Sequence, residues 1–136
     1  MTPTNVIVLD TWAFLAYFQD EPAAGEMEDL IVEAHEKNIR LLMSAVNVAE
    51  VWYILAREES PAEADRSVFN LEQLGVRFVE ADWRRAQMAA RFKAGHAMSL
   101  GDCFAAGLAQ EYDAALVTGD PEFQQVEGEI KIRWLK

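Results

Sequence analysis

Apolar and polar positions along this chain follow two rhythms. Short apolar runs recur at Val6–Leu9 ("VIVL"), 39–44 ("IRLLMS"), 76–80 ("VRFVE") and 114–118 ("AALVT"). Their length suits strands, and the scarcity of polar alternation suits a sheet covered on both faces. A fifth run, 130–135 ("IKIRWL"), alternates and predicts a short strand. Between the runs the period lengthens toward that of a helix. Helices are predicted over 11–18, 23–37, 48–59, 60–75, 83–94 and 102–112. Val48, Val51, Trp52 and Leu55 form one stripe of the third helix. Pro22, in "QDEP", separates the first two helices. Ser60-Pro61 opens the fourth, Gly75 stops it, and Gly95 follows the fifth.

Strands alternating with helices predict an α/β fold: one domain over residues 1–136, with a parallel sheet and helices on both faces. No linker, repeat or low-complexity tract divides the sequence. In such a sheet the helices run antiparallel to the strands. Helix N-termini and strand C-termini then share one rim, where open α/β sheets bind ligands. Four carboxylates are aimed at that rim. Asp10 ends the first strand, and Glu50 lies in the first turn of the helix after the second. Asp102 starts the helix that feeds the fourth strand, and Asp120 follows that strand in "VTGDPEF".

Each acid also has a local explanation, because acidic residues favour helix starts. Asp10 can cap the first helix. "NVAE" reads as a capping box of Asn47 and Glu50, and "SLGD" as one of Ser99 and Asp102. Asp120 before Pro121 reads as a cap followed by proline at the first helical position. Asp82, after the third strand, occupies an equivalent position, and capping is the preferred explanation there.

Composition adds the chemistry that these acids share. The chain carries 23 acidic and 12 basic residues, a formal charge of −11, which disfavours loose binding to nucleic acid and suits a cation or a basic partner. Clustered carboxylates repel unless something neutralises them. Mg²⁺ does so with oxygen ligands, lowers the pKa of a bound water and neutralises charge developing on phosphate. Two histidines and one cysteine are too few for a typical structural zinc site. The lone Cys103 excludes an internal disulfide, and the N-terminal "MTPTNVIVLD" lacks secretory-signal features; both suit the cytoplasm. No apolar run approaches a membrane span, so no membrane partner is expected.

At this point the residues resemble a known family. "VIVLDTWAFLAYF", "LLMSAVNVAEVWYIL", "MSLGDCFAAGLAQEYDAALVTGDPEF" and the closing strand are similar to a PIN domain, and most similar to the ribonuclease toxin of VapBC-type toxin–antitoxin pairs. The resemblance implies a five-stranded parallel sheet of order 3-2-1-4-5 and a metal-dependent endoribonuclease. It implies that Asp10, Glu50, Asp102 and Asp120 are the metal-binding, catalytic quartet, holding Mg²⁺ or, as a substitute, Mn²⁺. Thr118 matches the small hydroxyl residue that supports the site two positions before the last acid, and Thr11 is placed to bond a metal-bound water. RNA is the implied substrate, a small cognate antitoxin the implied partner, and a homodimer the expected assembly. One departure stands out: family members often carry Ser or Asn soon after the first acid, whereas here bulky Trp12 follows Thr11.

The competing reading is a non-catalytic PIN-like module that binds protein or RNA, whose signature would be an incomplete acidic set. A phosphatase pair of aspartates one residue apart is absent, since Thr11 and Trp12 follow Asp10, and so is a Gly-rich nucleotide loop. Arg84 and Arg91 share a helix face that is either solvated or meets RNA phosphates, and Lys131 and Arg133 are equally ambiguous. His35 and His96 read as surface residues, and Cys103 as a small core residue. "TWAFLAYF" is apolar nearly all round, which fits either a fully buried helix or a protein interface flanked by Trp52 and Tyr53.

Overall fold

The computed structural model describes residues 5–19 and 22–136; Asp20 and Glu21 of the "QDEP" break and the first four residues lie outside that range. The elements run β1 (Val6–Leu9), α1 (Thr11–Phe18), α2 (Ala24–Glu36), β2 (Arg40–Ser44), α3 (Ala45–Glu58), α4 (Pro61–Gln73), β3 (Val76–Val79), α5 (Trp83–Gly95), α6 (Leu100–Tyr112), β4 (Ala115–Thr118), a short 3-10 helix (Pro121–Val126) and β5 (Lys131–Trp134). All strand pairs are parallel and the sheet order is β3-β2-β1-β4-β5, as the resemblance implies.

The apolar strands are apolar because both faces are covered. Ile7 and Leu9 of β1, with Leu41 and Met43 of β2, face a core filled by Phe14, Met27, Leu30, Val51, Leu55 and Leu71 of α1 to α4. Val6 and Val8, with Leu42 and Leu116, face the opposite core with Phe92, Phe104, Leu108 and Phe123. The period-2 alternation of the strand is therefore present, but apolar side chains occupy both phases. Among the described residues, no helix is long and apolar enough to cross a membrane.

Three helix starts decide what reaches the rim. Asp10 caps α1, accepting from the Ala13 amide at 2.8 Å. Ser99 caps α6, accepting from the Asp102 amide at 3.1 Å, and the helix begins at Leu100, two residues earlier than predicted. α3 departs from expectation. Its cap is Ser44, which accepts from the Val46 amide, so the helix begins at Ala45 and Asn47 lies inside it instead of capping it. Ser44 wins because its extended backbone ends β2 directly at the helix start, leaving no loop for an Asn47 cap.

α5 also departs from the expected orientation. Arg85, in its first turn, pairs with Glu111 near the C-terminal end of α6 at 3.1 Å, while Lys93 in its last turn donates to the Met98 carbonyl just before α6. The two helices form an antiparallel pair, and only α6 begins at the acidic rim. Asp82 is thus not equivalent to the other acids. It caps α5 through the Arg85 amide at 2.9 Å, roughly 14 Å of helix rise from Asp102.

Candidate active site

Asp10 stands where β1 meets α1, near the middle of the sheet, and is 1% exposed. One oxygen caps α1 and the other accepts a 2.5 Å hydrogen bond from Thr118 Oγ1. Burial pushes the Asp10 carboxyl up to about 7, against the lowering effect of the Thr118 and Ala13 bonds; the charges of Asp102 and Asp120 add to the rise. Thr118 is itself fully buried at the end of β4, and its oxygen accepts from the Asp120 amide at 3.0 Å. One hydroxyl therefore ties the first acid to the turn that carries the last.

Asp102, in the first turn of α6, is half-buried and also pushed up to about 7. Desolvation is the main cause, followed by the Asp120 charge, with contact to Glu122 adding to it and the Ser99 bond opposing it. Carboxylate oxygens of Asp102, Asp120 and Glu122 lie within 4.8 Å of one another. Asp120 also accepts from the Glu122 amide at 2.9 Å, so the start of the 3-10 helix holds the two acids together. This all-oxygen set, in which burial and the neighbouring Asp120 charge hold the proton on Asp102, is the donor chemistry of Mg²⁺ or Mn²⁺. Asp10, with both oxygens engaged, is an electrostatic neighbour of that cluster but not a member of it.

Glu50 is held apart from the three. Its Oε1 accepts from Thr11 Oγ1 at 3.0 Å and from Asn47 Nδ2 at 3.1 Å. Asn47, fully buried, also donates to the Gly101 carbonyl at 3.0 Å. Both acceptors demand the amide's NH₂ on that side, which fixes its orientation and leaves Oδ1 buried with no donor among the described residues. Gly101 is required by this arrangement, because a Cβ there would overlap the Glu50 carboxylate. The structure thus brings Thr11, Glu50 and the start of α6 together, and Asp10, Thr118 and Asp120 together.

Two site residues escaped the sequence reading. Glu122 carried a usable signal, lying two positions from Asp120 in the quoted "VTGDPEF". Asn47 reads from the sequence as a local cap; the signal for its larger role is its spacing of three from Glu50, which on a helix places both on one face. Among the other residues weighed, Cys103 is buried in the core and His35 is exposed. His96 is less exposed than expected, lying 2.8 Å from Glu129 and against the Phe92 carbonyl. Lys131 pairs with Asp113 and Arg133 with Glu33, whereas Arg84 and Arg91 are exposed. On α1, Ala13, Phe14 and Ala16 are buried, while Trp12, Leu15, Tyr17 and Phe18 are half-buried. Trp52 and Tyr53 are exposed; Trp52 is tied to Asp65 at 2.8 Å.

Comparison with known proteins gives the same architecture. VapBC2 from Rickettsia felis, bound to a DNA fragment from its promoter, contains a chain that superposes with a TM-score of 0.77 at 14% identity, over 96% of this chain and 99% of that one. VapC20 from Mycobacterium tuberculosis, a sarcin–ricin loop cleaving toxin, gives 0.73 at 16% identity, over 88% and 94%. A chain of a toxin–antitoxin complex from Klebsiella pneumoniae gives 0.66 at 14%, over 93% and 95%. At these identities the likeness is one of fold. No curated protein sequence matches the chain. Residues 7–129 do match the PIN domain family. Because that match runs from β1 through the 3-10 helix and takes in every acid of the site, it shows that the chain belongs to the PIN domain family.

Proposed function

We propose that this protein is a divalent-metal-dependent endoribonuclease of the VapC type, the toxin half of a toxin–antitoxin pair. The observation that carries the reading is the meeting of Asp102, Asp120 and Glu122 within 4.8 Å, beside buried Asp10, at the ligand-binding rim of a PIN domain. The likeness to a sarcin–ricin loop cleaving toxin supports RNA as substrate. The likeness to chains from toxin–antitoxin complexes supports a small cognate antitoxin as partner. A cytoplasmic homodimer is the proposed working form.

In this reading the quartet Asp10, Glu50, Asp102 and Asp120 forms the metal site together with Glu122: Asp102, Asp120 and Glu122 would offer the direct ligands, and Asp10 and Glu50, whose oxygens are engaged by protein groups, would flank them. A divalent cation bound there supplies Lewis-acid stabilisation of charge on phosphate and acidifies a water nucleophile. The protein contributes the placement. Thr118 aims the Asp10 carboxylate and favours its ionised form. Thr11 and Asn47 grip Glu50 through Oε1, which directs Oε2 to orient the attacking water and take its proton. The raised carboxyls of Asp10 and Asp102 release protons when a cation replaces them.

Cleavage of single-stranded RNA by the purified chain in Mg²⁺ or Mn²⁺ tests the activity. It is expected to stop in excess chelator; undiminished cleavage there overturns the mechanism. RNA binding without cleavage under any metal supports the non-catalytic module instead. Co-expression with the small protein of the neighbouring reading frame tests the partner: co-purification and restored growth are expected.

A further inference from the structure

Trp12 stands out among the residues around the acidic rim because none of the chemistry above uses it. It lies two residues after Asp10, in the first turn of α1. Its ring packs against Gly119, where a Cβ would overlap the six-membered part of the indole. Gly119 sits between Thr118, which binds Asp10, and Asp120. The indole is thus fixed against the turn that joins two of the acids. It is only half-buried, and with Leu15, Ala16 and Gln19 it lines an open slot of about 220 Å³. Those four residues form one stripe along α1 and its C-cap Gln19, leading away from the rim.

The slot is smaller than the ~300–1,000 Å³ pockets that enclose whole ligands, so it suits one planar group held at its edge. Its lining carries no charge. The Glu58 carboxylate at its far end is engaged by Gln19 at 2.8 Å, so the wall offered to a ligand is neutral, and a nucleobase, being uncharged, meets it without an ion pair. Bases splayed from single strands commonly stack on aromatic side chains. We propose that the Trp12 indole is the platform for the base next to the scissile phosphate, so that the substrate is an unpaired stretch of RNA. This rests on the ribonuclease reading above.

The test is a cycle on an RNA oligonucleotide whose cut has been mapped. It is compared with two copies in which the base on one or the other side of the cut is replaced by an abasic ribose. Trp12→Leu is expected to lower kcat/KM on the intact RNA about 5- to 150-fold, the range of one base–aromatic stack. One abasic copy is expected to cost the parent the same factor and Trp12→Leu nothing further. Equal losses in parent and variant overturn the proposal. So does an unchanged cleavage rate with weakened antitoxin binding, which assigns Trp12 to a protein interface. Should Trp12→Leu fail to fold, fluorescence decides. With the exposed Trp52, Trp83 and Trp134 replaced by Phe in an Asp10→Asn background, the remaining indole should be quenched by the intact RNA and less by the abasic copy; equal responses overturn the proposal. A parent that cuts no RNA in Mg²⁺ or Mn²⁺ removes the ribonuclease reading itself, whereas a parent that cuts RNA without a Trp12 effect removes only this role.

Discussion

The Asp10 carboxylate gives one oxygen to the α1 cap and the other to Thr118, in a setting that resists its charge. Asp10→Asn keeps a cap acceptor and removes the buried charge. Cleavage is expected to fall by orders of magnitude, while the melting temperature at neutral pH without divalent cation stays level or rises. Asp82→Asn, at a cap away from the rim, is the control and should leave cleavage intact. The same burial sets a pH dependence. Asp10 and Asp102 titrate near 7 when folded, against about 4 in an unfolded chain. Between those values the folded state binds more protons than the unfolded one, so stability falls as pH rises through that window and the penalty is complete above about 7. Melting curves in chelator should therefore shift downward from pH 5 to pH 8, and Asp10→Asn should flatten the shift. A melting temperature that climbs over that range in chelator would contradict the burial argument.

Among the elements, α3 and α6 show where a chain read in one dimension stops informing. Val6–Leu9, Val76–Val79 and the end of α4 at Gly75 were legible because their causes are local: apolar runs, breakers and caps; Gly95, expected to follow α5, is its last residue. The role of Asn47 was not, because its partners Thr11 and Gly101 lie 36 and 54 residues away in sequence. The orientation of α5 was equally hidden, since it depends on Arg85 finding Glu111 on the next helix. Gly101 yields a prediction at this scale. Alanine is the better helix former by about 1 kcal/mol, yet its methyl group displaces the Glu50 carboxylate. Gly101→Ala is expected to fold with stability near the parent and to lose most cleavage, as read by a thermal melt beside an RNA assay. α1 separates in the same way. Phe14 is fully buried, so Phe14→Ala should cost about 3–5 kcal/mol, whereas half-buried Trp12 should act mainly through activity.

For the whole molecule, the two cores were readable because the strand runs are apolar in both phases, whereas the strand order, which winding rules narrow without singling out, came from the family resemblance. The gathering of acids at one rim follows from that winding. The make-up of the acidic cluster was less readable, since Glu122 joins Asp102 and Asp120 while Glu50 is held aside by Thr11 and Asn47. On the proposed reading, a net charge of −11 and a rim of crowded acids suit the fold to receive a cation. Mg²⁺ or Mn²⁺ should raise the melting temperature by binding the native state alone. The rise should be larger at pH 8 than at pH 5, where protons already neutralise Asp10 and Asp102, and smaller in Asp102→Asn or Asp120→Asn. A cation effect equal at both pH values would count against the rim as the receptor.

The Thr118–Asp10 bond joins residues 108 positions apart, and β4, which delivers both Thr118 and Asp120, pairs directly with β1. A ribosome makes 136 residues from the N-terminus in roughly 7–27 seconds. Throughout most of that time Asp10 and Glu50 exist without the segment that completes their setting. The rim comes into being only when β4 slots beside β1. If the chain is the proposed ribonuclease, it is silent while it is being translated, and the proposed antitoxin has until that moment to be waiting.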